Sequence, residues 1–112
     1  MATLGLAFLL AQPMRAATVT AYCHCTKCCG AVRKHTASGL IPREGITIAS
    51  RSRAIAFGTR VKLSLDDGTV LVRIVQDRLP RKAKAEFDIF ITDHAEAKRF
   101  GRHTIKSWQI IK

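Results

Sequence analysis

The chain reads as mainly all-β: a small closed or nearly closed β-barrel of about six short strands with one short helix. Three observations carry that expectation. Several short segments are rich in β-branched and aromatic residues and alternate apolar with polar side chains at period two. Turn residues separate these segments at short intervals. Only the stretch after Asp93 carries both a start and a stop signal for a helix. At 112 residues the chain has room for one domain and one core.

The elements follow in order. Val19 to Tyr22 is a first strand, with no helix start ahead of it. A cysteine-rich turn and the polar stretch Arg33 to Gly39 lead to Gly45–Ser50, which alternates apolar and small polar residues. Phe57-Gly58-Thr59 is a tight turn into Arg60–Leu65, where Val61, Leu63 and Leu65 share one face and Arg60, Lys62 and Ser64 the other. Asp66-Asp67-Gly68 is a hairpin signal, and Thr69–Asp77 is apolar at nearly every position, as in a central strand covered on both sides. Arg78–Ala85, with Pro80 and a block of charge, is a loop, after which Glu86–Ile91 resumes the extended pattern. Asp93 is an N-cap with Glu96 three residues on, and Gly101 ends the helix. Thr104–Ile111 is the last strand, with Ile105, Ser107, Gln109 and Ile111 on one face and Lys106, Trp108 and Ile110 on the other. Trp108 reads as barrel packing, with a sugar platform as the alternative.

Residues 1–17 read as a leader. Leu4–Ala11 is apolar but too short to span a bilayer, and Ala16-Ala17 offers a small-residue cleavage region. The domain then covers 18–112, and the location is exported, in a bacterial envelope or secreted. No basic residue precedes the apolar run, so an uncleaved anchor or a shortened reading frame is the alternative. Nineteen Lys and Arg against eight Asp and Glu give a net charge of +11 and attraction to anionic polymers of an envelope. Nucleic acid is not the expected partner, because no platform of aromatic and basic residues stands out. No feature asks for an oligomer.

Against so few acids, Asp77 at the end of one apolar run and Asp88 inside the next, eleven positions apart, are conspicuous. Alternation puts Phe87, Ile89 and Ile91 toward the core and Asp88, with Glu86 and Phe90, on the other face. A carboxylate in a partly apolar groove beside a second carboxylate has its pKa raised and is suited to general acid work. A structural reading competes: Asp77 accepting turn amides, and Asp88 paired with Arg78 or Arg81.

The order of short motifs resembles a known family. Thr20-Ala21-Tyr22, Cys23-His24-Cys25-Thr26-Lys27-Cys28-Cys29-Gly30, Thr36-Ala37-Ser38-Gly39, Ile48-Ala49-Ser50, Phe57-Gly58-Thr59, Val75-Gln76-Asp77-Arg78 and Phe87-Asp88-Ile89-Phe90, then His94–Ala97 and Phe100-Gly101, are similar to the three-aspartate (3D) domain family. The resemblance covers residues 18–112. It implies a six-stranded double-psi β-barrel and a peptidoglycan lytic transglycosylase of the membrane-bound type A and stationary-phase survival kinds. Such an enzyme cleaves the bond between N-acetylmuramic acid and N-acetylglucosamine in glycan strands, leaving a 1,6-anhydro sugar. Asp88 takes the position of the acid/base and Asp77 supports it. Thr20, Tyr22, Thr36, Ser38 and Thr59 fall at positions expected to bind substrate, and no cofactor is required.

Two departures are visible. Arg51 stands where the family carries its first aspartate, and Arg78–Lys84 replaces a glycine-rich loop. A non-catalytic glycan-binding barrel is therefore the alternative function. Cys23, Cys25, Cys28 and Cys29 could hold a structural zinc, with His24 or His35 nearby, or form local disulfides in an exported protein. His94 and His103 read as surface residues beside the helix.

Overall fold

The computed structural model describes residues 17–25 and 34–111. Its strands are β1 (Thr18–Tyr22), β2 (Thr47–Ser50), β3 (Arg60–Leu65), β4 (Val70–Arg78), β5 (Phe87–Phe90) and β6 (His103–Ile111). Among the described residues there is one helix, α1 (His94–Phe100), which lies between β5 and β6 and rests against β1. The strands close into a barrel in the order β1-β5-β2-β4-β3-β6, with β6 returning to β1. Closure removes the sheet edges that a chain this small would otherwise leave unpaired.

Two of the ladders are parallel, β1 with β5 and β2 with β4. The connection from β1 to β2 passes across β5, and that from β4 to β5 passes across β2. These two interlocked crossings make the barrel a double-psi barrel, the architecture expected. Val19, Ile48, Val61, Leu63, Leu65, Val75, Phe87 and Ile89 fill its interior with 3% exposure or less. Asp93 caps α1 by accepting the Glu96 N–H, and Gly101 ends it at φ 70°.

Three strand readings change. β4 is central in its pairing, between β2 and β3, but it is not covered on both sides. Val70 and Val72 are 53% and 40% exposed, because no second layer packs on that outer face. In β6 a bulge breaks the alternation: Trp108 stands opposite Leu63 and Ile105 opposite Leu65, so both belong to the inward face. Trp108 packs edge-on against Phe87, with ring centroids 5.1 Å apart, and remains 37% exposed. Finally, Ala17 already packs against the core, and its carbonyl accepts the Ile105 N–H. The rest of the expected leader, residues 1–16, lies outside the described residues.

Candidate active site

The strands of the two aspartates are not neighbours; β2 runs between them. Ala49 of β2 is the register partner of Asp77 on one side and of Asp88 on the other. Asp77 reaches this face through a bulge. Ile48 pairs with Val75 but Ala49 pairs with Asp77, so Gln76 is the extra residue. In an unbroken strand Asp77 would share the face of Val75, which is in the core. The bulge turns it outward, beside Ala49, Tyr22 and Phe90.

Asp77 is 2% exposed, and donors surround it. Its Oδ2 accepts the Tyr22 hydroxyl at 2.7 Å, and its Oδ1 accepts the backbone N–H groups of Ala37 and Arg78, each at 2.9 Å. The His24 imidazole, its side chain 7% exposed, places Nε2 3.5 Å from Oδ2. Among the described residues, neither ring nitrogen of His24 has a hydrogen-bond partner. Its ring packs against Tyr22 and Phe90, with centroids 5.5 and 5.3 Å away. The sequence offered no regular pattern for this placement, since His24 lies in a bend after β1 ends at Tyr22.

Asp88 is held differently. One hydrogen bond, from the Thr20 hydroxyl to Oδ1 at 2.9 Å, orients it. Burial pushes its pKa up to about 7, opposed by the Thr20 hydrogen bond and aided by the charge of Asp77. The expected pairing of Asp88 with Arg78 is absent: the Arg78 guanidinium donates to the carbonyls of Ser52 and Ile55 and stacks on Phe57. No ion pair joins Arg81 to Asp88 among the described residues either. The amide-accepting role considered for Asp77 is present, and it coexists with the Tyr22 and His24 contacts.

Of the expected substrate residues, Thr20 and Tyr22 bind the aspartates directly. Thr36 and Ser38 flank the Ala37 N–H in the crossing strap, their hydroxyls 2.9 Å apart, with Thr36 buried. Thr59 sits in the turn before β3, its backbone bonded to Ala56 and Val75, and takes no part in this network among the described residues. Leu79, from the other crossing, packs on Tyr22, Ala49 and Phe90. That loop is tied down where Arg53 donates to the Leu79 carbonyl and Arg51 to the Ala83 carbonyl.

Two concavities are present among the described residues, and neither is lined by Asp77 or Asp88. One, of ≈ 440 Å³, is lined by Arg51, Ser52, Arg53, Arg81 and Glu86. Arg51 is paired there with Glu86 at 2.6 Å, and Glu86 precedes Asp88 by two positions on the strand pattern. The other, of ≈ 530 Å³, is lined by His35, Leu40, Ile41, Ile46 and Gln76 among others.

Behind the aspartate face, Cys23 and Cys25 meet His94 at the start of α1. The two cysteines are not bonded to each other. Their Sγ atoms are 2.9 Å apart and lie 3.4 and 3.3 Å from His94 Nδ1. These three residues could hold a metal ion. His94 is thus half-buried against the thiols, not a surface residue, whereas His24 turns to Asp77 and away from them. Cys28 and Cys29 lie outside the described residues.

No family model and no curated protein matches the chain.

Proposed function

We propose that the protein is a lytic transglycosylase that cuts peptidoglycan glycan strands, with Asp88 as its acid and base. The observation that carries this reading is a pair of carboxyl groups on one face with opposite surroundings. Asp77 is enclosed by donors, while Asp88, among the described residues, has one hydrogen bond and a pKa raised to about 7 by burial. Environments that separate two carboxyls in this way assign an acid and its supporter.

Near neutrality a substantial fraction of Asp88 is protonated. It gives that proton to the glycosidic oxygen as the bond to C1 of the muramic sugar breaks. The resulting carboxylate takes the proton of the C6 hydroxyl as O6 closes on C1. Asp88 is restored to its acid form, the product is the 1,6-anhydro sugar, and no water or cofactor is consumed. A second carboxylate at hydrolytic spacing is not needed. Thr20 orients Asp88, and Tyr22 with the Ala37 amide holds Asp77 beside it as a positioning residue. The concavity lined by Arg51, Arg53 and Arg81 carries guanidinium groups that suit a glycan bearing carboxylates, although Arg51 is already paired with Glu86.

The resemblance to the three-aspartate domain family supports the same reading, with an exported, monomeric enzyme attracted to anionic envelope polymers. Incubating the protein with purified peptidoglycan should release anhydromuropeptides, detected by mass spectrometry, and Asp88→Asn should release none. Product from wild type and variant alike, or from neither, rejects the reading. Arg51, paired with Glu86 where the family has an aspartate, favours one alternative, a barrel that binds glycan without cutting it. Co-sedimentation with insoluble peptidoglycan and no product identifies that case.

A further inference from the structure

We infer that Cys23, Cys25 and His94 form a zinc site that pins the end of β1 to the start of α1. Three donors from two segments about seventy positions apart in sequence converge, and they meet without a connecting strand ladder. Cys23 and Cys25 follow the end of β1 through a bend, and both sulfurs come within 3.4 Å of His94 Nδ1.

The distances suit the ion. A tetrahedral zinc with bonds of roughly 2.3 Å to sulfur and 2.0–2.1 Å to nitrogen separates its S and N ligands by roughly 3.5 Å and two sulfurs by roughly 3.8 Å. The S-to-N separations here are 3.4 and 3.3 Å. The sulfurs, at 2.9 Å, are closer than that, so loading opens the pair by just under about 1 Å, a side-chain rotation. Two thiolates and an imidazole are soft donors that select zinc over calcium or magnesium. Asp66, Asp67 and His103 also converge, but there the carboxylates are exposed and hard.

The site bears on the aspartates through the backbone. Cys23 and Cys25 bracket His24, and Tyr22 precedes them, so an ion bound by the cysteines holds two of the Asp77 partners in place. The metal proposal stands without the glycan reading, and its test does not use activity.

Full-length protein purified under reducing conditions is dialysed against zinc, or against cobalt(II) as a spectroscopic stand-in. About one equivalent of zinc per chain is expected by elemental analysis. Cobalt should give a thiolate charge-transfer band and tetrahedral visible bands. Asp88→Asn should keep both. His94→Ala should weaken metal binding by more than the roughly 10–100-fold that loss of an outer-shell partner costs. If His94→Ala fails to fold, His94→Cys replaces one donor by another and should keep the metal with a stronger charge-transfer band. Substoichiometric zinc in the reduced protein, or a cobalt spectrum unchanged by either His94 substitution, overturns the proposal.

Discussion

Asp88 carries a free-energy consequence that can be measured apart from any activity. Its pKa of about 7 lies above the usual 3.8, so between those values the folded state holds a proton that the unfolded chain has lost. Stability from this group therefore falls as pH rises from about 4 to about 7 and is level above, a loss of about 3–4 kcal/mol for a shift of this size. Asp88→Asn removes the ionisation, so it should be more stable than wild type at pH 8 and differ little near pH 4, as read by chemical denaturation at both pH values. In the proposed reaction the acid form is needed, and kcat/KM should drop about tenfold per pH unit above about 7. Thr20→Val deletes the hydrogen bond that favours the charged form, and that limb should move to higher pH by about one unit. A limb that stays put, or moves down, is incompatible with Asp88 as the titrating acid. Tyr22→Phe takes one donor from buried Asp77 and should cost about 1–3 kcal/mol of stability in the same denaturation assay.

At the level of elements, the decisive features are irregular. The Gln76 bulge brings the second carboxylate to the face of the first, and the β6 bulge returns Trp108 to the barrel. Strand limits were readable: Arg60–Leu65 was expected and observed unchanged, because its alternation is complete and a hairpin signal follows it. The helix was readable from Asp93, Glu96 and Gly101 for a similar local reason. Its cap is testable. Asp93→Ala should lower stability by about 1 kcal/mol, seen as a lower thermal midpoint, since the Glu96 N–H loses its acceptor. The position of α1 against β1, which gives His94 its neighbours, had no local signal, since the partners lie about seventy positions away.

For the whole molecule, the net charge of +11 and the barrel would serve different parts of the proposed glycan recognition. Attraction of a scattered positive surface to anionic polymers is screened by salt, whereas contacts in a groove persist. Co-sedimentation with peptidoglycan should therefore weaken but not vanish between roughly 0.01 M and 1 M ionic strength, where the screening length shrinks from about 30 Å to about 3 Å. Complete loss at high salt would assign all of the binding to surface charge and none to the aspartate face. The two crossing connections matter at this scale too. One contributes Ala37 to Asp77 and the other lays Leu79 on the same face, so the topology that closes the barrel also encloses the candidate site.

Local patterning by itself determined the strand-rich class, the helix with its cap, and the outward position of Asp88, because each depends on neighbours within a few residues. Motif order added the expected barrel topology. Only the tertiary structure decided how Asp77 and Asp88 meet: across Ala49, by way of a bulge that parity along β4 does not reveal. It alone gave His24 to Asp77 and His94 to Cys23 and Cys25. The physical reason is range. Alternation and capping are set by the backbone within a turn or two, while a buried carboxyl group's partners and a cluster's donors are set by which distant strands the closed barrel brings side by side.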